Sequence, residues 1–134
     1  MLLTAQLLDQ VVDVNNWMNV SDIRLTQGDS PFVYFKLVNA TLDQNARPPG
    51  RRYMPVAGAV LTATLQNVNS ALTLVKVCTQ PFSQDPSIWK FQILSADGLR
   101  GTYTFTLQLT EGTNITYGRV SNAIAVMPQS GIFV

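Results

Sequence analysis

The chain has 134 residues, 46% of them apolar and only 13% charged, with a net charge of +1. That length bounds it to one domain, residues 1–134, large enough for a core of its own. The near-zero charge leaves no field to draw in nucleic acid or an anionic membrane, and no apolar run reaches the ~18–20 residues of a membrane span.

From the N-terminus, Met1-Leu2-Leu3 lacks a basic segment and meets Asp9 early, unlike a signal peptide. With one cysteine and therefore no internal disulfide, this implies folding in a reducing cytoplasm. A weak strand is predicted over Leu3–Leu8, and a short helical turn within Val11–Val20. Trp17 falls outside the clear strands and is expected to plug a neighbour or to cover one end of the body. The first strong strands are Asp22–Gln27, with Ile23 and Leu25 on one face, and Phe32–Val38, rich in aromatic and β-branched residues.

Residues 39–55 read as one long irregular loop. Arg47, Arg51 and Arg52 crowd its middle, Pro48-Pro49-Gly50 stiffens it, and Tyr53 and Met54 add apolar surface. Loops of this length in a compact domain are often functional. The composition suits an arm whose arginine forks reach carboxylates or carbonyls of another protein.

Alternation then resumes. Val60–Leu65 sets Leu61, Ala63 and Leu65 against Thr62 and Thr64. Leu72–Cys78 sets Leu72, Leu74 and Cys78 against Val75 and Val77. Ile88–Leu94 groups Trp89, Phe91 and Ile93. The cleanest period of two runs through Thr102–Thr110, where Tyr103, Phe105, Leu107 and Leu109 alternate with threonines and Gln108. Slipping that strand by one residue would expose four large apolar side chains. Glu111-Gly112 marks a hairpin turn, and Ile115–Arg119 and Ser121–Met127 form a last strand or pair. Seven to nine short strands separated by turn residues predict an all-β sandwich or barrel. The apolar ends, Leu2 and Leu3 with Ile132 and Phe133, suit docking arms over residues 1–20 and 129–134.

Catalytic chemistry finds little material. There is no histidine and a single glutamate, Glu111. The seven aspartates (Asp9, Asp13, Asp22, Asp29, Asp43, Asp85 and Asp97) are scattered, mostly at turns, where their side chains bond nearby backbone. No cysteine–histidine cluster suits zinc and no acidic loop suits calcium, so no cofactor or metal is expected. Cys78 shares its face with Leu72 and Leu74 and reads as a small buried hydrophobe. Three Asn-X-Ser/Thr triplets, at Asn19, Asn39 and Asn114, are what chance provides in a chain so rich in these residues. Thr, Ser, Asn and Gln make up about 30% of the chain, and such surfaces pack against neighbours without burying many charges. The expected class is a non-enzymatic binding or structural protein.

Ile23-Arg24-Leu25-Thr26-Gln27-Gly28-Asp29 followed by Phe32–Leu37, then Val56–Leu65, Gly101-Thr102-Tyr103-Thr104-Phe105 and a closing strand Ala123–Met127 resemble the N-terminal β-sandwich domain of phage baseplate upper proteins and related tail and head-associated phage domains. The resemblance spans roughly residues 22–128, with the 39–55 segment longer than the family's usual connection. It implies an immunoglobulin-like antiparallel β-sandwich serving as a structural subunit of a tailed-phage virion, assembled in the host cytoplasm. Its implied partners are other virion proteins and copies of itself in a symmetric homo-oligomer, with no nucleic acid and no membrane. The partner-binding residues expected on this reading are Leu2, Leu3, Trp17, Arg47, Arg51, Arg52, Tyr53, Ile132 and Phe133. The rival readings are a capsid decoration or cement protein and, from another class, a carbohydrate-binding module. The latter needs a row of exposed aromatics, whereas Trp89, Phe91, Tyr103 and Phe105 are predicted to face the core.

Overall fold

The computed structural model describes residues 1–26, 30–42, 45, 50–94, 97 and 100–127, without the side chains of 121 and 122. Among these residues the secondary structure is all β. Ten strands follow in order: β1 (Leu3–Asp13), β2 (Asn16–Val20), β3 (Ile23–Thr26), β4 (Phe32–Asn39), β5 (Arg51–Arg52), β6 (Val60–Asn67), β7 (Thr73–Val77), β8 (Ile88–Gln92), β9 (Gly101–Glu111) and β10 (Asn114–Met127). No helix among the described residues is long and apolar enough to cross a membrane.

All ten belong to one mixed sheet. Its main path runs β5-β4-β1-β10-β9-β6-β7, with β2 paired to β1, β3 to β10 and β8 to β4. Two expectations are corrected here. The strand count exceeds seven to nine, and the pairing is not wholly antiparallel. β3 runs parallel to β10 from Ile23↔Ile124 to Thr26↔Met127, and β1 meets β10 in parallel at Leu3↔Gly118. One long strand serves both neighbours because its register against β9 shifts between Val120 and Ile124. A bulge of this kind bends a strand away from one partner and towards another.

The sheet curls on itself. Along the path β4 and β9 are three strands apart, a separation of about 14 Å in a flat sheet. Yet the rings of Phe35 and Phe105 lie 5.5 Å apart, and Phe91 of β8 meets Phe105 edge-on at 5.9 Å. The arm β4–β8 therefore packs face to face with the arm β6–β9. Between them lie Leu7, Val33, Phe35, Leu61, Leu65, Tyr103, Phe105 and Leu109, each at most 1% exposed. Burying each large side chain contributes about 1.5–3 kcal/mol of transfer free energy. The alternation over Thr102–Thr110 is realised: Tyr103, Phe105, Leu107 and Leu109 all point inward. Trp89, Phe91 and Ile93 are likewise buried together, and the Trp89 Nε1–H finds no acceptor among the described residues.

The segment 11–20 holds no helical turn. β1 runs on to Asp13 and returns as β2 through a two-residue turn at Val14-Asn15. The Asp13 carboxylate accepts the Asn15 backbone N–H at 2.8 Å and the Asn16 amide at 2.7 Å, and these bonds hold its pKa below the usual range. Asp closing a turn on its own following backbone is the local chemistry that outweighs a weak helical pattern. Residues 1–20 are thus built into the sheet and do not form a free arm.

Gly118 makes the β1–β10 junction. A Cβ on Gly118 would lie 2.5 Å from the Leu3 carbonyl oxygen and 3.1 Å from Leu3 Cβ, so only glycine lets the two backbones approach this closely. Leu3, expected to dock a partner, is instead 1% exposed and seals this junction from inside.

Candidate functional site: two outer faces

Each arm of the curled sheet turns one face to the core and one outward. The outward face of β1, β4 and β8 is partly roofed. Leu8, Val38 and Ile88 are buried there, outside the main core cluster. The expected loop at 39–55 supplies part of the roof. It does not run free to its end: β5 pairs Arg52 with Val38 and Arg51 with Asn39, and Tyr53 N donates to Leu37 O at 2.9 Å. Gly50 sits so close over Val38 that a Cβ there would overlap its Cγ1.

Two of the side chains expected to grip a partner are engaged within the chain. Arg52 donates to Asp85 Oδ2 at 2.7 Å. Asp85 is buried, and its other oxygen accepts the N–H of Ser87 at 3.1 Å and the Ser87 hydroxyl. Removing a charge from water is costly unless every lone pair is met, and here both oxygens are. Tyr53 donates its hydroxyl to the Glu111 carboxylate at 2.8 Å, and Val56 N donates to the same group at 3.1 Å. Burial, and then Glu111, raise the pKa of Tyr53. The arm reading is corrected for Arg52 and Tyr53: the segment is stitched to β8's approach and to the β9–β10 turn. Arg51 keeps an exposed position on β5. Arg47, Ile132 and Phe133 lie outside the described residues.

Sequence reading did not anticipate what gathers around Trp17. Its Nε1 donates to Val14 O at 3.0 Å, and the Lys36 ammonium lies 4.6 Å from its ring centroid. Trp17, Arg52 and Asp85 share a cleft of about 330 Å³ with Val14, Asn15 and Gln84. Burial, with Arg52 adding to it, lowers the Lys36 pKa, and Asp85 opposes the shift. Further along the same face, Phe32 and Tyr34 stand 6.3 Å apart, and Lys90 caps Phe32 at 4.2 Å. The signal was present in the sequence as the outward phase of β4, Phe32-x-Tyr34-x-Lys36. Aromatics at such positions are read by default as core.

The outward face of β7, β6, β9 and β10 is bare. Across it the register sets Val77 beside Thr62, Gln108 and Tyr117, and Val75 beside Thr64, Thr106 and Arg119. Val60, Val75, Val77, Ile115 and Tyr117 are all at least half exposed. Arg119 is the only charged side chain among these rows. At its β1 side the face opens into a groove of about 640 Å³, floored by Leu3 and Leu107 and flanked by Leu2, Thr106, Tyr117 and Arg119. Leu2, one of the expected contact residues, is 60% exposed on this rim.

No family model, curated protein or solved structure matches this chain.

For chemistry the described residues offer no cluster of three or more His, Cys, Asp or Glu side chains around a common point. Cys78 is buried where the chain leaves β7, and burial pushes its thiol pKa up to about 12. It is a packing residue on this geometry, since a nucleophilic cysteine needs its thiolate.

Proposed function

We propose that this protein is a non-enzymatic structural subunit of a tailed-phage particle, sited in the tail, baseplate or head–tail region. On this reading the two packed arms are the sheets of an immunoglobulin-like sandwich, and β3 and the start of β1 are strands that add to its edge in parallel. Assembly proceeds through sheet faces and edges and through Leu2 at the N-terminal rim. The observation that carries it is the bare face of β6, β7, β9 and β10. Five half-exposed apolar side chains and a floor of threonines are accompanied there by one charge. Contiguous apolar surface on a domain of this size marks an interaction site, and uncharged polar neighbours can be covered without leaving an unpaired ion.

Purified particles from a host carrying the gene test it. The chain should co-sediment with them in a density gradient at a fixed copy number per particle, and it should be lost when Tyr117→Lys and Ile115→Lys are combined. A chain that stays wholly in the soluble fraction overturns the reading.

A second reading, a carbohydrate-binding module, is favoured by the row Phe32 and Tyr34 with Trp17 beyond Lys36. Specific retention on a glycan array, abolished by Phe32→Ala, would move the assignment there.

A further inference from the structure

The β1–β2 hairpin and the segment after β5 meet over the outward face of β4. β1 leaves β4 after the pair Leu8↔Tyr34. Gln10 then takes a left-handed φ of 52°, and the pairing with β2 shifts between Asp9 and Asp13. An irregularity of this kind bends a ribbon, and here the bend carries the hairpin tip back over the sheet. Val14, Asn15 and Trp17 thereby line one cleft with Arg52, Gln84 and Asp85, which are distant in sequence. Lys36 reaches the same place from β4, its Nζ 4.6 Å from the Trp17 ring centroid.

The polar groups of this cleft are not all engaged within the chain. Lys36 is half-buried, yet among the described residues its ammonium meets the Trp17 ring and no oxygen acceptor. Arg52 commits one nitrogen to Asp85, and the rest of its guanidinium has no acceptor among the described residues. Asp85 has no oxygen to spare, since Arg52 and Ser87 take both. Asp13, the carboxylate nearest the hairpin tip in sequence, is turned to the Asn15 N–H and the Asn16 amide. The side-chain amides of Asn15 and Gln84 are exposed and likewise have no partner among the described residues. Two cations thus face one carboxylate, and a half-buried ammonium without a counter-ion is costly. The cost shows in Lys36: burial and then the Arg52 charge push its pKa down, against the pull of Asp85.

We propose that this cleft binds a pyranose carrying one carboxylate, with the carboxylate between Lys36 and Arg52 and the sugar ring along Trp17. An anion supplies the missing counter-charge, and the open side of the guanidinium suits the two oxygens of a carboxylate. A bare anion would leave the rest of the lining unused. An indole surface matches the apolar C–H face of a sugar ring, and the amides of Asn15 and Gln84 offer donors and acceptors for its hydroxyl groups. At about 330 Å³ the cleft stands at the small end of ligand sites, which fits one ring and not a chain of them. The site belongs to the roofed face and uses none of β6, β7, β9 or β10, so it does not rest on the assembly reading. It also makes a demand that the row of Phe32 and Tyr34 does not: the ligand must be charged.

Titration of the whole chain with glucuronate and with N-acetylneuraminate, followed by the Trp17 indole N–H signal in nitrogen–proton NMR, tests this. Buried Trp89 provides the internal reference. At least one of the two acids should give a saturable shift with a Kd on the order of 1 mM, the strength open to a ligand of this size. Glucose, a pyranose without the charge, and acetate, the charge without the ring, should each bind roughly tenfold more weakly or worse. Lys36→Gln removes the unpaired ammonium and should weaken binding of the acid sugar by a similar factor. The proposal is overturned if neither acid saturates up to about 50 mM, well above that Kd, or if glucose binds as well as the acids. Acetate binding as tightly as the acid sugars also overturns it, and would mark the cleft as a seat for an acidic protein side chain. So does a folded Lys36→Gln chain that binds like wild type. Should that variant misfold, unchanged binding by Gln84→Ala, which alters only an exposed amide, overturns it instead.

Discussion

The two ends of the strand path, β5 and β7, solve the same problem in opposite ways. β5 is two residues long, is all arginine, and is anchored by Arg52 to buried Asp85. β7 is five residues long, outwardly neutral and carries exposed valines. One edge is closed by a charge whose counter-ion lies inside the fold, and the other by backbone bonds just past its end, where Thr79 and Lys90 of β8 exchange N–H and C=O at 2.9 and 2.8 Å. The two outer faces differ more: side-chain hydrogen bonds hold the roofed one, and no described residue spans the bare one.

The largest break in this comparison comes where the arms join. Gly118→Ala puts a methyl group against the Leu3 carbonyl and should destabilise the fold by about 3 kcal/mol, the upper part of the range for overpacking, read as a lowered urea midpoint. Next, Asp85→Ala should cost about 2–3 kcal/mol, because it leaves the Ser87 N–H without its buried acceptor and Arg52 without its partner. Limited proteolysis near residues 50–55 should speed up alongside.

Tyr53→Phe removes the bond to Glu111 and should cost about 1 kcal/mol at neutral pH. It also carries a pH signature. The Tyr53 pKa is raised in the folded state, so its contribution is full below the ordinary tyrosine value of about 10 and is lost as pH rises through the folded value. The variant should therefore show a shallower alkaline loss of stability than wild type. The smallest effect is expected on β7. Val75→Thr should change the monomer's stability by no more than about 0.5 kcal/mol. A loss well above that would mean that the Val75 side chain packs within the chain, and the contrast between the roofed and the bare face would collapse.

Much of the core was legible in the residues. Period-two runs placed Tyr103, Phe105, Leu107 and Leu109 inside, and grouped Trp89 with Phe91 and Ile93, because a half-buried strand imposes that period locally. Leu72 breaks the pattern: it has the phase of Leu74 but lies just before β7 and is 49% exposed. Leu8, Val38 and Ile88 fail in the opposite direction, being buried on an outward face because a hairpin and a returning connection happen to cover it. The candidate contact residues fared unevenly for the same reason. Leu2 reaches the surface, Leu3 one position later is sealed in, and Arg52 and Tyr53 find intramolecular acceptors more than thirty residues away.

Alternation, turn chemistry and the scarcity of charge determined by themselves that this chain makes strands with a neutral outer surface, since each depends on neighbours in sequence. Tertiary structure alone decided that the strands form one mixed, curled sheet, that two of them run parallel to β10, and that one outer face is roofed while the other is exposed. Those outcomes depend on which distant backbone fits beside Gly118 and which distant carboxylate meets Arg52, and a local pattern carries no information about either.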